Sequence, residues 1–158
     1  MDIIRESINK IIYENEIISD DDIEYYSEGE CGAFAEALHR MFNSFGIHTT
    51  LCVISDPDDV EEWEGFDFAV THVAVCMPND TYIDIRGIQT LKQMGENFDI
   101  YDYPSEYEIS SIWDIMGDND DKPIYGNEQD IQKAINYIKA NWLPVMKPHL
   151  LNAGYDIK

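Results

Sequence analysis

Apolar residues recur in the first third of the chain at intervals that suit helices. Ile3, Ile4, Ile8, Ile11 and Ile12 lie at helical spacing, with Arg5, Glu6, Asn9 and Lys10 between them. That pattern predicts an amphipathic N-terminal helix. The acidic stretch Ser19-Asp20-Asp21-Asp22-Ile23-Glu24 then interrupts it. A sharper stripe follows: Cys31, Phe34, Ala35, Leu38, Met41, Phe42 and Phe45 fall on one face of a second helix. Ser27-Glu28-Gly29-Glu30 matches the capping-box pattern at its start, and Gly46 is placed to stop it.

The period then changes from helical to alternating. Thr49 to Ile54 is β-branched and apolar and ends at Asp56-Pro57-Asp58. The acidic segment Asp58 to Asp67 reads as a loop or short helix. Val70 to Met77 places Val73, Val75 and Met77 on one face and His72, Ala74 and Cys76 on the other. Pro78-Asn79-Asp80 is a turn signal, and Thr81 to Ile85 is the return strand. Residues 86–127 are rich in Tyr, Asp and Ser and show no periodicity that assigns an element. A last helix carries Ile131, Ala134, Ile135, Ile138 and Trp142 on one face, with Pro144 and Pro148 predicted to end it. The layering predicts an α+β fold: N-terminal helices packed on a small antiparallel sheet with a C-terminal helix, as a single domain over 1–158.

Composition changes the picture through charge. The 158 residues are 44% hydrophobic, as in a globular chain, but 32 Asp plus Glu against 10 Lys plus Arg give −22. Such a surface repels phosphate backbones and anionic membranes, so direct nucleic-acid binding and membrane binding are not expected. Basic partners are favoured: a cationic protein segment or an amine. No run of eighteen apolar residues is present, and Met1 to Glu6 lacks the basic and apolar regions of a signal peptide. Cys31, Cys52 and Cys76 show no CxxC spacing and read as reduced thiols in a cytoplasm.

Three residues stand where nucleophilic catalysis needs them. Cys31 sits in the first turn of the second helix, His72 opens a strand, and Asp84 lies on the next strand. An ordinary thiol is only a few per cent thiolate at pH 7; a charged His and the positive end of a helix favour the thiolate. The base is then held in one tautomer by a third group, usually a carboxylate. The hairpin allows this on paper. A three-residue loop, 78–80, pairs Met77 with Thr81, which sets Asp84 opposite Ala74 and diagonal to His72 on the same face. A two- or four-residue loop separates them.

These residues carry a resemblance. Glu30-Cys31-Gly32-Ala33-Phe34-Ala35-Glu36-Ala37-Leu38, then Thr71-His72-Val73-Ala74-Val75, then Tyr82-Ile83-Asp84-Ile85-Arg86-Gly87 resembles the transglutaminase-like branch of papain-like cysteine enzymes. The likeness covers residues 28–88. It implies a papain-like or transglutaminase-like core and a catalytic Cys31, His72 and Asp84. Family members include transglutaminases, peptidases, deamidases and acyltransferases, and some have lost activity. Two features depart from the pattern: Gly32 follows the Cys where an aromatic is common, and Glu28 and Glu30 flank the thiol. A carboxylate about 6 Å away disfavours thiolate by about 0.7 to 3 kcal/mol at a dielectric of roughly 20 to 80.

The sequence therefore predicts a cysteine-dependent acyl-transfer enzyme acting on a cationic protein or amine, with no cofactor and no metal. Cys52 and Cys76 read as core residues. His39, about 80° from the Cys31 face, reads as solvated. The Asp runs 20–22 and 118–121 lack the Gly and Glu positions of a calcium loop. Arg86 is predicted to stack beyond Asp84, in the order His72, Asp84, Arg86, with the carboxylate bridging. The alternative is a non-catalytic acidic binding protein. Its carboxylates along Asp20–Glu24, Asp56–Glu64 and Asp114–Asp121 would imitate a phosphate backbone and block a basic nucleic-acid-binding or defence protein.

Overall fold

The computed structural model describes residues 18–58, 70–112 and 127–157. The helix predicted over residues 3–12, most of the acidic segment from Asp58 to Asp67, and Asp114–Asp121 lie outside them. Within the described residues the architecture is α+β, with one five-stranded antiparallel sheet and helices packed against it.

The acidic run that was expected to interrupt the helical pattern is itself a helix, α1 (Asp20–Glu24). Ser19 caps it by accepting the Asp22 N–H at 3.2 Å, and three Asp in the first turn suit the positive end of the helix. A π-helical turn, Tyr25–Gly29, leads into α2 (Cys31–Ser44). The expected capping box does not form. Glu30 is the N-cap and makes no side-chain cap bond, because the Ser27 hydroxyl is engaged by Arg86 instead. The stop is as read: Gly46 has φ +84°, and its N–H and that of Ile47 return to Asn43 and Phe42 carbonyls.

The sheet order is β4-β3-β2-β1-β5, where β1 is Thr50–Ser55, β2 His72–Cys76, β3 Tyr82–Asp84, β4 Gly87–Gln89 and β5 Ser105–Ile109. Strict alternation gives the sheet two different faces. Leu51, Val53, Val73, Val75 and Ile83 join the larger core with Phe34, Leu38 and Phe42 of α2. Cys52, Ile54, Ala74 and Tyr82 join a smaller core with Ile100 and with Leu91 and Met94 of α3 (Leu91–Glu96). Strands β4 and β5 and helix α3 all arise from the stretch that showed no periodicity.

At the C-terminal end, α4 (Glu128–Tyr137) opens with a capping box between Asn127 and Asp130. The expectation that Pro144 and Pro148 end the helical run is overturned. A π turn, Ile138–Trp142, joins α4 to α5 (Leu143–Asn152), which contains both prolines. Pro144 falls in the first turn of α5, where its missing N–H is not needed by the helix. Trp142 is fully buried, donates to the Ile85 carbonyl at 2.9 Å, and meets Phe34 edge-on at 5.9 Å. This contact ties the C-terminal helices to the strand end that carries Asp84.

Candidate active site

The β2–β3 hairpin brings His72 and Asp84 to one face. Its loop is 78–80: the Met77 N–H donates to the Thr81 carbonyl at 2.8 Å, and Asp80 closes the turn at φ +62°. Val75 is paired with Ile83 and Cys76 with Tyr82. The odd loop length is enforced by burial, because Val73, Val75 and Ile83 must all enter the larger core. His72 and Asp84 then share the opposite parity. His72 Nε2 and Asp84 Oδ2 are 3.0 Å apart, at 0% and 2% side-chain exposure.

The carboxylate is held from three directions. Its other oxygen accepts the Arg86 backbone N–H at 2.8 Å and the Gln89 side-chain amide at 2.7 Å. Gln89 in turn accepts from the Asn97 side-chain amide at 2.5 Å. This satisfaction is what a buried carboxylate requires. Phe98 lies against the His72 ring, with centroids 4.3 Å apart.

Cys31 comes from the first turn of α2 and is 4% exposed. Cys31 is one of the two groups that raise the His72 pKa. Burial alone favours the neutral ring, but the hydrogen bond to Asp84 and then the contact with Cys31 outweigh it. Together they push the His72 pKa up to about 9. The second ring nitrogen, Nδ1, is buried and makes no hydrogen bond. The ladder of α2 begins with the Phe34 N–H on the Glu30 carbonyl, so the Cys31 N–H stands before the helix's own bonds.

The other two thiols differ. Burial, with Cys76 and Glu106 nearby, pushes Cys52 up to about 12, and burial followed by Glu106 raises Cys76. All three cysteines are free. Glu30, one residue before Cys31, has a buried Oε2 with no hydrogen-bond partner. Burial and the Asp130 carboxylate push its pKa up to about 7 against the opposing pull of Lys133.

Arg86 departs from expectation. Asp84 bonds its backbone N–H, but its guanidinium turns away to donate to Ser27 Oγ at 2.8 Å and lies 5.8 Å over the Phe98 ring. The stacked order through a bridging carboxylate is therefore overturned. The tight β3–β4 turn aims the backbone, not the side chain, at Asp84. His39, expected in solvent, is half-buried and bonded to Thr49 Oγ1 at 2.7 Å, away from the site. Gln89, Asn97 and Phe98 carry no sequence signal, since the elements that bring them to Asp84 and His72 were not legible.

Comparison with family models, with curated proteins and with solved structures returned no match. Among the described residues, no group of three or more His, Cys, Asp or Glu side chains is arranged to hold a metal ion. No described helix is long and apolar enough to cross a membrane.

Proposed function

We propose that this chain is a cysteine-dependent acyl-transfer enzyme with Cys31 as nucleophile, His72 as acid and base, and Asp84 as the group that orients His72. The observation that carries this reading is the buried His72–Asp84 pair, 3.0 Å apart, with Cys31 in the first turn of α2 also raising the pKa of that ring. A buried imidazole kept positive at neutral pH is what a neighbouring thiolate needs.

In the resting pair the proton of Cys31 already sits on His72, which leaves the sulfur as thiolate. Cys31 Sγ attacks an amide carbonyl carbon; a C–S bond forms and the carbon–nitrogen bond breaks. The departing amine takes the proton from His72, leaving a thioester on Cys31. Water or a second amine then attacks the thioester, gives its proton to His72, and releases the acid or a new amide as the carbon–sulfur bond breaks, restoring the thiolate–imidazolium pair. The Cys31 N–H at the helix start serves the tetrahedral oxygen. On this reading the resemblance to the papain-like and transglutaminase-like core extends to its chemistry. The free thiols suit a cytoplasm.

The substrate proposed is a cationic protein segment or an amine. Exposed Asp20, Asp21 and Glu24 on α1, and Glu106 and Glu108 on the edge strand β5, would attract it. The same carboxylates support the second reading, an acidic decoy for a basic nucleic-acid-binding protein. Iodoacetamide alkylation followed over pH by peptide mass mapping separates them. An enzyme alkylates at Cys31 well before Cys52 and Cys76 at pH 7, and His72→Ala removes that preference. Equal labelling of all three thiols, with affinity for a basic protein that falls steeply with salt and is unchanged in Cys31→Ala, supports the decoy instead.

A further inference from the structure

We infer that Arg86 and Ser27 form a clasp that positions Cys31 against His72; this rests on the catalytic reading above. Ser27 lies in the π turn four residues before the nucleophile, is 2% exposed, and accepts the Arg86 guanidinium at 2.8 Å. Arg86 is the residue whose backbone N–H holds Asp84 at 2.8 Å. One residue thus grips both halves of the site: its main chain fixes the carboxylate that orients His72, and its side chain fixes the segment that delivers Cys31.

The two segments are 59 residues apart in sequence, and no strand pairing joins them. The π turn is a wide, irregular turn with an unusual hydrogen-bond pattern. Its hydroxyl also forgoes the capping role that its sequence position suggests, so α2 starts without a side-chain cap. A lost cap costs stability, and the clasp is what that serine does instead. The guanidinium lies over Phe98, which itself covers His72, so the cation reaches the site through packing as well. The titratable groups that act on His72 are Asp84 and Cys31, and Arg86 is not among them. Its role is accordingly positional, and neither residue touches the reacting atoms.

Ser27→Ala is the discriminating variant, because it removes the clasp while keeping the Arg86 charge and a small buried side chain. Two measurements are made on the full chain. In Ser27→Ala, Cys31 alkylation by iodoacetamide at pH 7 slows by about tenfold. The His72 imidazole, followed by NMR, titrates at lower pH than in the wild type as the thiol moves off the ring. Arg86→Lys, which can still reach Ser27, restores part of the rate lost in Arg86→Ala. The double variant Ser27→Ala/Arg86→Ala is no slower than Arg86→Ala alone. An unchanged His72 titration in Ser27→Ala overturns the clasp, whatever Cys31 does. A wild-type Cys31 no more reactive than Cys52 overturns the enzyme reading, and the NMR titration still decides the clasp.

Discussion

His72 Nε2 and Asp84 Oδ2 stand 3.0 Å apart across two neighbouring strands, twelve residues apart in sequence, with both side chains buried. The carboxylate, not solvent, therefore decides the charge of the ring. Burial alone would favour neutral imidazole, and the Asp84 hydrogen bond together with Cys31 reverses that. Asp84→Asn should bring the His72 pKa down from about 9. The NMR titration of the ring measures this directly. A variant that still titrates near 9 would show that Asp84 is not the controlling group.

The same pair gives stability a pH dependence with a fixed sign. The folded pKa of His72 is raised from an ordinary 6.5 to about 9, so the folded state holds its proton more tightly than the unfolded chain. The stabilisation is complete below about pH 6.5 and is lost as pH rises through about 9. The gap in melting temperature between wild type and His72→Gln should narrow steadily over that window. Removing His72 at pH 6 should cost about 3 kcal/mol, the usual penalty for breaking a buried pair. A gap that stays constant from pH 6 to pH 9.5 contradicts the assignment.

Trp142 supplies a third test, at the joint between the helices and the site. Its indole donates to the Ile85 carbonyl, next to Asp84, from a fully buried position. Trp142→Phe keeps most of the ring volume but leaves that carbonyl unsatisfied. Denaturant unfolding should report a loss of about 1 to 3 kcal/mol. A loss under 0.5 kcal/mol, the size of an ordinary surface change, would mean the bond does not anchor the hairpin.

The His72–Asp84 pairing was legible in the sequence because its geometry follows from parity. Val73, Val75, Ile83 and Ile85 had to face one core, so His72 and Asp84 had to share the other face, and only an odd loop allows both. The α2 stripe was legible for the same reason, with apolar residues at helical spacing. What escaped was structure built from polar residues. Strand β5, Ser-Glu-Tyr-Glu-Ile, is a largely exposed edge strand whose short alternation buries little and so gives a weak signal. Strand β4 is three residues long, and its Gln89 finds Asp84 only through the tight turn between them. Arg86 was expected on the return strand opposite His72, but it lies in the turn between β3 and β4, and its side chain reaches Ser27 in a turn 59 residues away. The prolines misled because a π turn relieves the helix just before Pro144.

Glu30 supplies the last test, and it concerns the carboxylates that flank the thiol. In the sequence they counted against a thiolate at Cys31. In the structure, burial and Asp130 push the Glu30 pKa up to about 7, so below that pH the side chain is mostly neutral and its opposition fades. The sign for stability follows. A carboxyl raised from 4.5 to about 7 destabilises the fold once ionised, so the stability it allows is complete below about pH 4.5 and lost as pH rises through about 7. Glu30→Gln removes the charge and leaves the shape. It should melt with the wild type at pH 4.5 and above it at pH 8. Cys31 alkylation should likewise match wild type at pH 5.5 and run faster than wild type at pH 8, since only there does the wild type carry the opposing charge. If the variant instead melts lower than the wild type at pH 8, then the ionised Glu30 is making a favourable contact. Its role beside Cys31 would then be attraction to Lys133 rather than repulsion of a thiolate.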